Sequence, residues 1–359
     1  MFSMTKDKTI IIKNIYYMLG YAFAILRQTT YDEIEKEDFD NIHNLLAAIL
    51  TKGVGQQLKQ GLHREYLEMQ ENLTVLRGKI EVNGTIKNKL QKKRLLSCEF
   101  DELSENNLYN RILKTTSFLL LRHSGVDNEY KSDLKKKMLF FTNVDCPDPT
   151  SIMWSSIRFT RNNQTYRMLI SICQLIIEGM LLTTERGEHR LATFIDEQRM
   201  SRLFERFILE YFIKEFPEVR TRASRIPWAL DDNMGTMLPI MQSDITLSKG
   251  NKTLIIDAKF YSRTTQEQYD VHTVHSSNLY QIFAYVKNMG ANLNYKTHNV
   301  SGLLLYARTD DAIQPDKTYQ MSGNSISVKT LDLNCDFKEI AAQLDSIGNY
   351  FIEEQGAAV

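Results

Sequence analysis

The chain has 359 residues, room for about two domains with a sizeable core. Its 44 Lys and Arg balance 44 Asp and Glu, so no global charge marks a polyanion partner and any nucleic-acid surface must be local. No apolar run reaches the roughly 18 residues of a membrane span, and the opening MFSMTKDKTI lacks a signal core, so a cytoplasmic protein is expected.

Thr9 to Ile12 is a short β-branched run, and Asn14 is placed to cap IYYMLGYAFAIL, a helix apolar nearly all round and therefore buried. The acidic YDEIEKEDFD reads as a solvated linker or first turn. A second helix runs from about Phe39 to Gln60, with Ile42, Leu45, Leu46, Ile49 and Leu50 at helical spacing. Leu73 to Ile86 alternates like strands, with glycines at turns. The basic patch Lys87, Lys89, Lys92, Lys93 and Arg94 has two readings, contact with DNA phosphates or a solvated loop. Asn106 to Arg122 is a helix, and Lys135, Lys136 and Lys137 ride on another short one. The prolines of NVDCPDPTS then break the pattern. The expected division is an N-terminal α+β domain over 1–155 and a second domain over 156–359.

In the second half, Arg161 to Leu182 reads as a buried helix. Met200 to Phe216 reads as an amphipathic one with Glu205 at the edge of its apolar stripe, ended by Pro217. Val219 to Trp228 reads as a strand carrying Arg220, Arg222 and Arg225. Beyond Phe260 come a helix over Ser276 to Met289, a buried strand over Gly302 to Ala307, a hairpin over Thr318 to Leu331 and a closing helix over Asp336 to Phe351. Gln281 and Tyr285 are one turn apart on one helix face. The fold class is mixed α/β, a mixed sheet flanked by helices.

Between those elements, MQSDITLSKGNKTLIIDAKF (Met241 to Phe260) reads as a hairpin closed by Gly250-Asn251. That turn pairs Ser248 with Thr253, Leu247 with Leu254, Ile245 with Ile256 and Asp244 with Asp257. Asp244, Thr246, Ile255, Asp257 and Lys259 then share one face, and Ile245, Leu247, Leu254, Ile256 and Ala258 the other, which is wholly apolar and should pack on the core. Facing carboxylates repel, and a divalent cation would compensate; magnesium takes hard oxygen ligands and is commonly held by one or two carboxylates plus substrate phosphate. Lys259, one pleat away, would then lie near a scissile phosphate, to orient or deprotonate a water and offset charge. The alternative is a solvated hairpin with two acids and a lysine by chance. No G-x-x-x-x-G-K-[ST] occurs, so any nucleotide hydrolysis belongs to another chain. Cys98, Cys146, Cys173 and Cys335 lack zinc spacing and read as reduced, buried thiols.

The order Glu205, Asp244, Asp257-Ala258-Lys259, then Gln281-x-x-x-Tyr285 resembles the PD-(D/E)xK nuclease superfamily, in its RecB-like branch. Ser243 stands where that pattern often has proline. The blocks KNIYYMLGYAF, LRGKIEV, CEFDELSENNLYNRILK, RLFERFILEYF, QSDITL, LIIDAKFY and NLYQIFAY together resemble the McrC family of restriction nuclease subunits, across both halves. That resemblance implies a restriction-endonuclease-like nuclease domain over 156–359 that cuts DNA bearing methylated cytosine. Asp244 and Asp257 would be magnesium ligands, with the Ala258 backbone carbonyl and Glu205, directly or through water. Lys259 would be catalytic, and Gln281 and Tyr285 would position DNA or the site, or only make a helix hydrogen bond. It also implies a GTP-binding AAA+ partner, McrB, on which residues 1–155 would dock and whose GTPase they would stimulate. A stand-alone RecB-like repair nuclease and a non-cleaving activator of a motor are the other readings.

Overall fold

In the computed structural model the described residues are 10, 12–23, 39, 41–160, 163–185, 197–232, 234–261, 265–268, 271–293, 298–311 and 313–353. Most of the acidic stretch expected as a linker, residues 31–38 and 40, lies outside them. The first helix, α1 (Ile12–Phe23), buries Ile15, Tyr16, Met18, Leu19 and Tyr21, as its all-round apolarity requires. Asn14 lies inside this helix rather than capping it. Its side-chain amide donates to the carbonyls of Leu333 and Cys335, each at 2.8 Å, far along the chain. Tyr17 stacks on Phe337 with ring centroids 4.3 Å apart, and the Tyr21 hydroxyl donates to Glu215 at 2.7 Å. These contacts correct the expected boundary: the compact units are 1–42 with 186–359, and 43–185.

The 43–185 unit opens with α2 (Ile42–Gln60), which buries Leu45, Leu46, Ile49 and Leu50 as read from their spacing. A three-stranded antiparallel sheet follows, β1 (Glu65–Leu73), β2 (Lys79–Ile80) and β3 (Leu96–Ser104), in the order β1-β3-β2. Residues 82–86, expected as strand, instead begin α3 (Val82–Leu90), because the Glu81 carboxylate accepts hydrogen bonds from the backbone N–H groups of Asn83 and Gly84. A capped helix start, with an acid at the positive end of the dipole, outweighs a short alternation. The basic patch falls on the end of this helix and the turn after it, all five side chains exposed. Then come α4 (Leu108–Arg122), capped by the Asn107 side chain accepting from the Asn110 N–H at 3.1 Å, α5 (Asn128–Met138) and α6 (Gln164–Glu185). Four free thiols are present, but only Cys98 and Cys173 are buried; Cys335 is half-buried and Cys146 exposed, so burial was wrongly expected of those two.

The other unit continues with α7 (Glu197–Glu215) and then β4 (Arg220–Arg222) and β5 (Arg225–Ile226), two short strands where one was expected. Next are β6 (Met241–Gln242), β7 (Ile245–Lys249), β8 (Lys252–Lys259), β9 (Thr265–Gln268), β10 (Val271–Val274), α8 (Ser276–Asn292), β11 (Asn299–Ala307), β12 (Lys317–Met321), β13 (Asn324–Leu331) and α9 (Phe337–Glu353). The six-stranded sheet runs β12-β13-β11-β8-β7-β4. It is parallel between β8 and β11 and between β11 and β13, and antiparallel elsewhere. Helix α8 supplies the crossover that a parallel β8–β11 pair demands.

The central hairpin has the register expected from its turn for Ile245 with Ile256, Leu247 with Leu254 and Ser248 with Thr253, but the ladder begins at Ile245, so the expected Asp244–Asp257 pair is not part of it. Gly250 closes it at φ 60°, a value easy only for glycine. Both faces are covered. Helix α7 packs against β7 and β8, while α8 lies on the face holding Ile255, where Ile282, Tyr285 and Val286 meet Val300, Leu304 and Tyr306. Each such fully buried apolar side chain contributes about 1.5–3 kcal/mol. The polar face of the hairpin is therefore the floor of a helix, not a solvated surface.

Helix α8 rests on β11 at Gly302, where an added Cβ would meet Ile282 Cγ1 at 2.8 Å and Val286 Cγ2 at 2.9 Å. Gly302→Val should cost about 1–3 kcal/mol in urea unfolding through overpacking. Gly290→Ala, in the same helix with open space around it, should gain about 0.4–1 kcal/mol. Equal effects of the two substitutions would mean that α8 does not sit on β11 at this point.

Candidate active site

Asp244 sits at the bend between β6 and β7, and its approach is fixed by a serine ladder. The Ser243 N–H donates to the Ser224 carbonyl at 3.0 Å, the Ser224 N–H donates to the Ser243 hydroxyl at 3.2 Å, and the Ser243 and Thr246 hydroxyls are 2.7 Å apart. A proline at 243 has no N–H to give the first of these bonds, which accounts locally for serine there. From this bend Asp244 Oδ2 accepts the Ala258 N–H at 2.9 Å, so the first acid is held against the strand carrying the second.

Asp257 projects from β8 with 1% of its surface exposed, and neither carboxylate oxygen has a hydrogen bond. The Lys259 ammonium approaches Oδ2 at 2.8 Å, an ion-pair contact without hydrogen-bond alignment. Asp244 at the bend before β7, with Asp257 and Lys259 on β8, perturb one another as Coulomb's law requires. Burial, then Asp257 and Glu205, push Asp244 up to about 7. Burial also raises Asp257, opposed by Lys259. Burial alone would lower Lys259, but attraction to Asp257 and Asp244 outweighs it and the ammonium is held in its charged form. A lysine so held is a poor proton acceptor and a good fixed cation, which favours orienting a water over deprotonating it.

Glu205 of α7 is half-buried and accepts the Ser201 hydroxyl at 3.0 Å. Its carboxyl is raised by burial and by Asp257, against Lys259 and Arg202. It thus shares the field of the two aspartates, yet among the described residues no group of three His, Cys, Asp or Glu gathers at metal-holding distance. Ala258 meets Asp244 through its N–H. Gln281 and Tyr285 are brought together with each other: Gln281 Nε2 donates to the Tyr285 hydroxyl at 2.9 Å, within α8, while the tyrosine ring is buried in the core under that helix.

Sequence reasoning missed three residues beside Lys259. Tyr306 is its register partner on β11 and is fully buried; its hydroxyl accepts from Asn278 Nδ2 at 2.9 Å. The Tyr261 hydroxyl donates to Asn278 Oδ1 at 3.4 Å. Burial, then Tyr261 and Asp257, push Tyr306 up to about 12, so it stays a neutral phenol. The signal was present: Asn278 lies one and two turns before Ile282 and Tyr285 on the face α8 buries, and Tyr306 is the one polar ring in the apolar run GLLLYA.

A family model for the McrBC 5-methylcytosine restriction system component matches residues 5–307. The type IV methyl-directed restriction enzyme EcoKMcrBC of Escherichia coli K12 is 28% identical over 346 residues, 95% of this chain and 98% of the relative. Among solved structures, the Thermococcus gammatolerans assembly of McrB AAA+ hexamers with bound McrC is similar at a TM-score of 0.53 and 19% identity, covering 94% of this chain and 75% of that one. That likeness supports the mixed α/β fold. No helix among the described residues is long and apolar enough to cross a membrane.

Because Asp244 is a half-buried acid crowded by two others, removing its charge while keeping an acceptor for the Ala258 N–H should relieve repulsion. In chelator at pH 8, Asp244→Asn should unfold later in urea than the unsubstituted chain, by on the order of 1 kcal/mol. Earlier unfolding would show that the carboxylate is held there for stability.

Proposed function

The chain belongs to the McrBC 5-methylcytosine restriction system component family, and from that premise we propose that it is the DNA-cleaving subunit of a GTP-dependent complex acting on DNA with methylated cytosine. The observation that carries this reading is the pair Asp244 and Asp257, one with both oxygens buried and unsatisfied, beside a lysine held in its charged form. Native proteins rarely leave a buried carboxylate without partners, and a hard cation is the simplest partner for such oxygens.

The residues present fit magnesium: Asp244 and Asp257 would hold it, with the Ala258 carbonyl as a further oxygen and Glu205 acting directly or through water. When bound, the ion lowers the pKa of water and stabilises charge on a phosphoryl oxygen. Lys259 keeps its positive charge, orients the attacking water and faces the negative charge on the phosphoryl oxygens as the water oxygen bonds to phosphorus and the bond to the leaving sugar oxygen breaks. Asn278 and Tyr306 brace the strand position of Lys259, and Gln281 with Tyr285 holds the helix above it. This is the nuclease arrangement of the PD-(D/E)xK superfamily.

The relative of known structure is described with McrB AAA+ hexamers, which supports an AAA+ GTPase, McrB, as partner here. The sequence carries no P-loop, so GTP belongs to that partner. The docking and GTPase-stimulating role expected of 1–155 passes to the 43–185 unit, since 1–42 is part of the unit that holds the acids.

The test is cleavage of a cytosine-methylated plasmid in magnesium, with and without the partner and GTP, using Asp257→Asn as control. Cutting is expected only with partner and GTP, and the variant should lose at least 100-fold, the scale of removing a group that stabilises transition-state charge. Magnesium should also raise the Tm of the chain but not of Asp257→Asn, by mass action on the folded state. Cutting by the chain alone would indicate a free-standing repair nuclease. No cutting, with the partner's GTPase still stimulated, would indicate an activator.

A further inference from the structure

Helix α7 carries Arg202, Glu205, Arg206 and Leu209 at spacings of three and four, on one face. That face walls a cleft of about 400 Å³ whose opposite side is Ala223, Gln242, Ser243 and Asp244. Both arginines are exposed. Arg206 bonds Glu210 at 2.5 Å, one turn along the helix, whereas Arg202 has no carboxylate within ion-pair distance among the described residues. The cleft thus runs from two guanidinium groups directly to the first acid of the hairpin.

We propose that Arg202 and Arg206 form a phosphate-binding subsite that grips the nucleic-acid backbone flanking the phosphate at Asp244 and Asp257. This deepens the nuclease reading and rests on it. In the metal-free chain a phosphodiester entering the site meets three carboxyl groups, Glu205, Asp244 and Asp257, against the single cation of Lys259, and that approach is repulsive without further positive charge. The chain as a whole is neutral, so long-range attraction cannot supply it. Two arginines one turn apart, with Cβ atoms about 5–6 Å from each other, can each fork onto phosphate oxygens with parallel hydrogen bonds. Being flexible and exposed, they meet the backbone rather than base edges, so they add affinity and register without sequence preference. Glu210 holds Arg206 along the helix until the non-bridging oxygens of a backbone phosphodiester take its place.

Fluorescence anisotropy of a short labelled DNA duplex in chelator reads this subsite without cleavage. The full-length chain is compared with Arg202→Ala/Arg206→Ala, Arg202→Lys/Arg206→Lys and the surface variant Lys338→Ala over a salt series. The alanine pair should flatten the slope of log K against log salt by about 2 and weaken binding about tenfold per arginine near 0.1 M salt. The lysine pair should keep most of the slope, and Lys338→Ala should match the unsubstituted chain. Identical binding by the unsubstituted chain and the alanine pair, including no binding by either, overturns the proposal, as does a lysine pair that loses the slope as fully as the alanine pair. Asp257→Asn in the same series should bind DNA undiminished. If that variant still cuts DNA, the nuclease reading fails independently of what the arginines show.

Discussion

The chemistry proposed for this chain follows from holding one carboxylate at the bend before β7 against a second on β8 and then roofing them with a helix. In water such a pair would cost little. Here Asp257 is nearly sealed, Asp244 is mostly so, and the local medium amplifies their repulsion. The fold contains three concessions to that cost: the Ala258 N–H given to Asp244, the ammonium of Lys259 against Asp257, and a neutral phenol at Tyr306. None satisfies the oxygens of Asp257. A site that stores unsatisfied charge in an otherwise well-packed sheet is a site prepared for something that arrives from outside the chain.

Much of this was legible in the sequence, because a hairpin is a local object. Gly250-Asn251 fixed where the strands turn, and the alternation of Ile245, Leu247, Leu254 and Ile256 fixed the register, since a slip by one residue would expose all four. Ser243 was legible only as a departure; its N–H bond to Ser224 appears once β5 and β6 are seen side by side. The hairpin's polar face was read without saying what would cover it. Ile255 sits on that face too, and it is the residue α8 covers.

What the sequence hid was long-range. The apolarity of α1 announces burial but cannot say against what, and its partners, Leu333, Cys335 and Phe337, lie more than 300 residues away. The domain boundary was misplaced for that reason, two prolines being a weaker guide than a buried asparagine. Residues 82–86 show the opposite failure: a single side chain, Glu81, tips an ambiguous stretch into a helix. The Asn278–Tyr306–Tyr261 set beside Lys259 is of the first kind, three polar groups from separate elements that only the β8–β11 register brings together.

The attachment of α1 to the end of the chain has a temporal side. Residues 333–337 leave the ribosome more than 300 residues after residues 12–23, and domains fold as units once all their parts are present. The contacts that anchor α1 in the unit holding the two aspartates therefore form only after Asp244, Asp257 and Lys259 have all been made. A nascent or prematurely ended chain that already carries Asp244, Asp257 and Lys259 still lacks the carbonyls that anchor Asn14 and the ring that stacks on Tyr17.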